Sequence, residues 1–518
     1  MANVFDPATG QWAILPDMEY RRWYPTATTL ADGRALVIAG SDETFTSYIE
    51  VPEVFDPQTN SWTTLNAAQQ RIPNYAFVYV LPDGRVIAAG SDESPMATYV
   101  LDVDAQAWSV VDPTVLDAGS GVMYLPGKIM KAGGSYVPGG QGPWIGVPTD
   151  ATTYVLDMTQ GSPTWQQTQS MAYPRSHLNL TMLPDGSVVA IGGSTDMSGE
   201  RAQYGVLPAE MWSPATQTWT TMASMQTPRM YHSSAMLLPD GRILSAGGGR
   251  DGAAPNYLNA EIYSPPYLFR GARPTITDVP AQLAYGTDFF VQTPDAASIA
   301  SVSLIRNGSV THSNNMDQRY VPLSFTQTAG GLNVQAPADA NLAPPGTYML
   351  FIVNSDGVPS IAPFVRLPAG YEDSQPPSAT TGLIANAGIG TATLGWNAAT
   401  DDVGIDHYNV YRSTTPGFTP SAANLIAQSP TTGYVDSGLA GGTYYYRVAA
   451  EDAAGNIGPA SDEVSAAVLA DTVSPSVSIT DPVTGASVFG TITISADAFD
   501  DVSVAGVQFF LDGNDLGG

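Results

Sequence analysis

The chain has 518 residues, a formal charge of −29, no cysteine and only 13% charged residues, with 51 glycines and 41 prolines. Disulfides, zinc–thiolate sites and thiol nucleophiles are therefore excluded. The acidity works against binding nucleic acid or an anionic membrane surface, and no apolar run approaches the roughly 18 residues of a membrane span. The turn-rich composition predicts an all-β chain, and the length predicts three or four domains.

The first residues, Met1-Ala2-Asn3-Val4-Phe5-Asp6-Pro7, carry no basic or apolar leader pattern and read as the middle of a repeat. Two patterns then alternate over residues 1–272. One is a β-run, an Asp-Gly turn and an apolar strand ending in small residues. It runs from Leu30-Ala31-Asp32-Gly33-Arg34 to Gly40 and from Leu81-Pro82-Asp83-Gly84-Arg85 to Gly90. It returns from Leu183-Pro184-Asp185-Gly186 to Gly193 and from Leu238-Pro239-Asp240-Gly241-Arg242 to Gly248, with a degenerate copy at Leu125-Pro126-Gly127. The other is an aromatic turn followed by tryptophan, giving Trp12, Trp62, Trp108, Trp165 and Trp219 at spacings of 50, 46, 57 and 54 residues. A period near fifty is that of a kelch-type β-propeller. Asp-Gly supplies the positive φ of a tight hairpin, paired glycines allow close backbone approach, and the tryptophans are expected between blades.

Five blades are expected, beginning near Tyr24, Tyr75, Val122, His177 and Tyr231, with residues 1–15 supplying two further strands that complete the fifth. Residues 273–370 lose the period and suit one β-sandwich. A linker follows at Ser374-Gln375-Pro376-Pro377. Residues 376–470, with Trp396, His407-Tyr408 and Tyr444-Tyr445-Tyr446, resemble a fibronectin type III module, and residues 474–518 a partial immunoglobulin-like module. Both ends of the sequence look cut.

Only four histidines occur. His407 lies in the fibronectin-like module and is read as structural, and His177 as a hydrogen-bonded residue near the channel. Arg229-Met230-Tyr231-His232 and Thr311-His312 together offer a phenol and two imidazoles from two domains. Imidazole with phenolate oxygen suits Cu(II). Tyr24 is a fourth candidate, read as occupying the same place as Tyr231 at the start of an inner strand. Adjacent residues on a strand face opposite ways, so Tyr231 and His232 reach one metal only from irregular backbone. Asp401-Asp402 and Asp497 with Asp500-Asp501 lack a calcium-loop spacing and are read as solvated turns.

The stretch Arg229 to Gly248, together with Ser303-Leu304-Ile305-Arg306 through Thr311-His312 to Asp317-Gln318-Arg319, resembles the copper radical oxidases, the group containing galactose oxidase and glyoxal oxidase. Gly346-Thr347-Tyr348-Met349-Leu350-Phe351 and Gly357-Val358-Pro359-Ser360 continue the match, and Arg21-Arg22-Trp23-Tyr24-Pro25-Thr26 is closer to glyoxal oxidase. The resemblance covers residues 1–368. It implies one copper per chain, with His232 and His312 as equatorial ligands and Tyr231 as axial ligand and general base. Tyr24 would be the ligand carrying a tyrosyl radical. It implies a secreted enzyme oxidising a primary alcohol, aldehyde or carbohydrate with O2 to an aldehyde or acid and H2O2. The C-terminal modules would attach it to a polysaccharide or cell surface.

Two departures stand out. The cysteine that the family cross-links to its radical tyrosine is missing, and five blades stand where the family has seven; an absent N-terminal part of the propeller would explain both. Asp42 stands where galactose oxidase has a tryptophan stacked on that tyrosine, leaving Trp144 as another source of an aromatic. The alternative reading is a non-catalytic propeller binding carbohydrate or protein.

Overall fold

A computed structural model describes residues 2–6, 9–44, 47–92, 94–117, 119–134, 146–249, 255–369, 376–401, 404–452, 455–502 and 504–517. The chain separates into two compact units, Met1–Tyr371 and Glu372–Gly518. Strands dominate both, and the helical elements among the described residues are three short 3-10 turns.

In the first unit, consecutive antiparallel strands make the blades. The inner strands are Thr26–Thr29, Ala76–Val80, Ser120–Leu125, Ser176–Met182 and Ser233–Leu237. The first four blades have four strands each and the fifth has three. Each blade presents apolar residues on both faces, so burial requires a neighbour on each side. Leu36, Ile38, Val78 and Ala88 share one inter-blade cluster, while Phe77, Ile87, Met123 and Ile129 share the next.

The tryptophans stitch successive blades together. Trp165 Nε1 donates to Thr98 Oγ1 at 2.7 Å and Trp219 Nε1 to Thr153 Oγ1 at 3.0 Å, each in the preceding blade. Trp108 Nε1 donates to the Ala68 carbonyl at 3.0 Å. The paired glycines also make the expected close approach. The amides of Gly134 and Gly193 donate to the carbonyls of Arg175 and Arg229, which open the next blade, at 2.9 and 2.7 Å.

The opening strands do not complete the fifth blade. Among the described residues Ala2–Asp6 pairs only with Gln11–Leu15. This hairpin adjoins the first blade, whose Trp62 Nε1 donates to the Pro16 carbonyl at 2.8 Å, the same stitch that joins later blades. Strand pairing stays within a blade, and neighbour identity is carried by side chains, so the repeat pattern alone could not say which blade the hairpin meets.

Residues 288–367 form a sandwich of three and four strands. Alternation of side chains along Ile299–Arg306 and Gly346–Asn354 gives this sheet two buried faces. Val302, Leu304, Leu350 and Ile352 fill the sandwich core. Ile305, Met349 and Phe351 pack with Val122, Leu178 and Trp212 of the propeller.

From this sandwich the hairpin Ser309–Thr311 with Asn314–Met316 enters the propeller axis and touches all five inner strands. Polar side chains fasten it and the residues after it. Asn314 Nδ2 donates to the Ala76 carbonyl at 2.9 Å and Ser120 Oγ to the Ser313 carbonyl at 2.6 Å. Asp317 accepts from Thr29, Gln318 bridges Leu180 and Met182, and Arg319 donates to the Val80 carbonyl at 2.6 Å.

The second unit contains a sandwich of three and four strands around Trp396, Tyr408, Val410, Tyr446 and Val448. Two short hairpins follow, Ser476–Asp481 with Ser495–Phe499 and Phe509–Leu511 with Asn514–Gly517.

Candidate metal centre

The site is built from one recurring position. Tyr24, Tyr75, His177 and His232 each lie six residues before the leucine of their blade's Asp-Gly turn. All four have left-handed backbone, with φ of 57°, 56°, 53° and 64°. An L-residue with a bulky side chain rarely adopts that region, and such strain concentrates at functional sites. Hence the residue equivalent to Tyr24 is His232, and not Tyr231 as the sequence reading had it. The fifth blade holds one residue more than its counterparts. Arg22 and Arg175 precede their turn leucines by eight residues, Arg229 by nine. That residue is Tyr231, and the strand begins only at Ser233. The irregular backbone required for Tyr231 and His232 to point the same way is present.

The four candidate residues converge. The ring centroids of Tyr231 and His232 are 4.0 Å apart, those of His232 and His312 4.6 Å, those of Tyr24 and His312 4.9 Å, and those of Tyr231 and His312 5.4 Å. His312 also has left-handed backbone, φ 48°, at the tip of the axial hairpin. His232 is exposed, while Tyr24, Tyr231 and His312 are half-buried, so the cluster opens to solvent on the His232 side.

The donor set fits a metal ion. His232 Nδ1 lies 2.9 Å from the Gly249 carbonyl, which only accepts. Nδ1 therefore carries the hydrogen and Nε2 presents its lone pair. His312 Nδ1 meets Thr311 Oγ1 at 2.6 Å. Its Nε2 is buried with no hydrogen-bond partner among the described residues, an arrangement that costs stability unless something occupies that lone pair. Burial, then the nearby His232 and His177, pulls the His312 pKa down to about 4, so this imidazole is neutral near neutral pH and able to ligate.

Two neighbours complete the cluster. Tyr75, absent from the expected site, is 2% exposed, and its ring contacts Tyr24 at 4.7 Å and His312 at 4.5 Å. Its hydroxyl is 3.3 Å from that of Tyr231. The signal was available, since Tyr75 begins an inner strand as Tyr24 does. His177 is buried edge-on to Tyr231 at 5.3 Å. Its Nδ1 meets Asp92 Oδ2 at 3.0 Å and its Nε2 the Met197 carbonyl at 2.9 Å, so both ring nitrogens are engaged. Burial raises the Asp92 pKa, partly offset by His177.

Asp42 caps its own turn by accepting from Thr44. Trp144 lies outside the described residues. The aromatic rings found against Tyr24 include Tyr75 and Trp23, the latter edge-on at 5.7 Å. In the other unit, His407 is bound to Asp406 and Gln428. Asp401 and Asp500 accept backbone amides of Gly404 and Val502. Asp402 lies outside the described residues.

Comparison with known proteins agrees with this architecture. The glyoxal oxidase N-terminus family matches residues 141–267, the galactose oxidase-like early set domain 273–367, a kelch motif 22–67 and a bacterial Ig domain 475–518. A galactose oxidase of Gibberella zeae is 32% identical over 399 residues, covering 70% of this chain and 57% of that protein. An aldehyde oxidase GLOX of Vitis pseudoreticulata is 28% identical, over 69% of this chain and 74% of its own length. A fungal alcohol oxidase solved in complex with copper superposes with a TM-score of 0.62 at 28% identity, covering 71% of this chain and 80% of that one. Chitinase A1 of Niallia circulans shares 41% identity over 108 residues, covering 20% of this chain and 14% of that protein. The chain spans 57% of the length of the Gibberella enzyme. With matching families in order across propeller and sandwich, the chain belongs to the copper radical oxidase family that includes galactose oxidase and glyoxal oxidase.

Proposed function

We propose that Tyr24, Tyr231, His232 and His312 hold one copper ion, and that the chain oxidises a primary alcohol or an aldehyde with O2, giving an aldehyde or acid and H2O2. The observation that carries this reading is His312 Nε2, buried without a hydrogen-bond partner among the described residues, in a ring whose centroid lies 4.6 Å from that of a second imidazole, His232, held through its Nδ1 by the Gly249 carbonyl. Copper bound there supplies one-electron redox chemistry. The protein's part is positional. His232 and His312 each offer a ring nitrogen, and their orientation is fixed by the Gly249 carbonyl and the Thr311 hydroxyl. Tyr231, as a phenolate, would take the hydroxyl proton of the alcohol or hydrated aldehyde, and Tyr24, once oxidised to a tyrosyl radical with O2 as the oxidant, would take the hydrogen atom from its carbinol carbon. The exposed His232 side admits a small substrate or the end of a carbohydrate chain. We place the protein outside the cell, with the second unit attaching it to a polysaccharide. The described residues hold no helix long and apolar enough to cross a membrane.

A second reading, a non-catalytic propeller that binds carbohydrate or protein, is favoured by one observation. The sequence contains no cysteine to cross-link Tyr24. Copper titration followed by electron paramagnetic resonance separates the two. The oxidase reading expects one tight Cu(II) per chain with nitrogen hyperfine structure, lost in His232→Ala and His312→Ala, and peroxide release on some primary alcohol or aldehyde. A folded protein with no site-specific copper refutes it and leaves the binder.

A further inference from the structure

Tyr75 is connected to more of the cluster than any metal site requires of a packing residue. Its ring lies nearly parallel to the His312 imidazole, 21° between planes at 4.5 Å, and covers Tyr24 at 35° and 4.7 Å. Offset stacking at such distances fixes the plane of each partner. Its hydroxyl, in a side chain that is 2% exposed, reaches the Tyr231 hydroxyl at 3.3 Å. A single side chain thus touches three of the four candidate ligands, and these come from two blades and the axial hairpin.

The backbone holds Tyr75 where it is. The Tyr75 amide donates to the Tyr24 carbonyl at 3.3 Å. The carbonyl of the next residue, Ala76, accepts both Thr26 Oγ1 at 2.7 Å and Asn314 Nδ2 at 2.9 Å. The carbonyl of the preceding residue, Asn74, accepts Ser91 Oγ at 2.7 Å. The first blade, the second blade and the axial hairpin therefore all fix this one residue, and they do so around a left-handed φ of 56°. A side chain needed only to fill space would not require such a backbone; glycine or asparagine adopts it more readily.

We propose that Tyr75 is a positioning residue of the metal centre. Its ring sets the planes of the His312 imidazole and the Tyr24 phenol, and its hydroxyl holds that of Tyr231. This rests on the copper reading above, and the tests are chosen so that the two fail separately. Hydrogen-bonding partners of metal ligands typically contribute about 10–100-fold to metal affinity. Cu(II) affinity is expected to fall roughly tenfold in Tyr75→Phe, which keeps the ring, and further in Tyr75→Leu, which loses ring and hydroxyl. The Cu(II) resonance should change in Tyr75→Leu, with phenylalanine restoring most of the parent's nitrogen hyperfine pattern.

Copper-free protein gives an independent readout. With tyrosines labelled at the phenol carbon, the Tyr231 resonance, identified by its loss in Tyr231→Phe, should shift in Tyr75→Phe. Parent affinity and spectrum in both variants, whatever their unfolding temperature, overturn the proposal and leave Tyr75 a packing residue. If the parent takes up no specific copper, the oxidase reading fails. The tyrosine resonance then decides alone: a shift supports the Tyr75–Tyr231 connection, and an unmoved resonance overturns it.

Discussion

Replacing Glu53 by alanine probes what holds the site-bearing segments in place. Arg22 lies two residues before Tyr24, and its guanidinium meets the Glu53 carboxylate at 2.7 Å with neither side chain exposed. Glu53 also accepts the Glu19 amide at 2.7 Å, and Arg22 donates to the Ala39 carbonyl at 3.1 Å and to the Val51 carbonyl. The arrangement recurs. Arg175 meets Glu210 at 2.6 Å, and Glu210 accepts the Ala172 amide. Arg229 lies 3.7 Å from Glu261, which accepts the amides of Gln226 and Thr227. Glu53→Ala leaves a guanidinium in the interior without its counter-charge and strips the Glu19 amide of its acceptor. Breaking a buried pair from one side costs about 3–5 kcal/mol. Unfolding entropy near 2.1 cal/mol/K per residue over the Met1–Tyr371 unit comes to roughly 0.8 kcal/mol per kelvin. The unfolding midpoint of that unit should fall by about 4–6 °C in scanning calorimetry. Asp83→Ala is the matched control. It removes one carboxylate from Arg85, a contact of 2.6 Å between side chains 44% and 50% exposed, and should cost under about 1 kcal/mol. Equal drops for the two variants would refute the view that the buried pair anchors the segment.

Three further expectations follow from the same structure. Lys131 is 1% exposed, its amine 4.2 Å from the Trp165 ring, and burial pulls its pKa from 10.5 to about 7. The folded state then releases its proton before the unfolded state does, so stability is flat below about pH 7 and rises between about 7 and 10.5. Urea unfolding of the parent should gain roughly 2–3 kcal/mol between pH 6 and 9 relative to Lys131→Met, and parallel curves would refute a buried amine. Gly192 has φ of 70°, and a Cβ there would sit 2.2 Å from the Arg229 carbonyl oxygen. Gly192→Ala should therefore destabilise by at least about 3 kcal/mol, and an unchanged denaturation midpoint would contradict this. Trp219→Phe removes the bond to Thr153 and leaves a buried hydroxyl without its partner. A loss of about 1–3 kcal/mol is expected in the same assay, and Thr153→Val in that background should recover part of it.

The sequence made the repeat legible because turn chemistry is local. Asp-Gly and paired glycines carry their conformational demand in the residue itself, so the blades could be counted and Trp62, Trp108, Trp165 and Trp219 placed between them, whereas Trp12 of the opening hairpin is 71% exposed. The placement of the opening hairpin was not legible, because contact between blades runs through side chains such as Trp62 that the repeat makes equivalent. Tyr75 was missed for a different reason. Histidines and a matching context singled out Tyr231, His232 and His312, whereas a tyrosine opening a strand looks like packing until the register is counted from the turn leucine. The same count corrects the pairing of Tyr24 with Tyr231, since only Tyr24, Tyr75, His177 and His232 share the left-handed position.

That register explains how a repeat becomes a site. A propeller whose blades are alike presents one side chain per blade at the mouth of its axis, too widely spaced around the ring for all of them to meet at one atom. Two departures from repetition concentrate the donors. One extra residue in the fifth blade places Tyr231 beside His232, with ring centroids 4.0 Å apart. The sandwich hairpin carries His312 up the axis to within 4.6 Å of His232 and 4.9 Å of Tyr24. The residues that follow the Asn314–Met316 strand, Asp317, Gln318 and Arg319, are bonded to blades one, four and two. The blades cannot shift without moving the imidazole at the hairpin tip. The extensive docking of the two folds is thus what brings candidate ligands 288 residues apart in sequence, Tyr24 and His312, into one cluster.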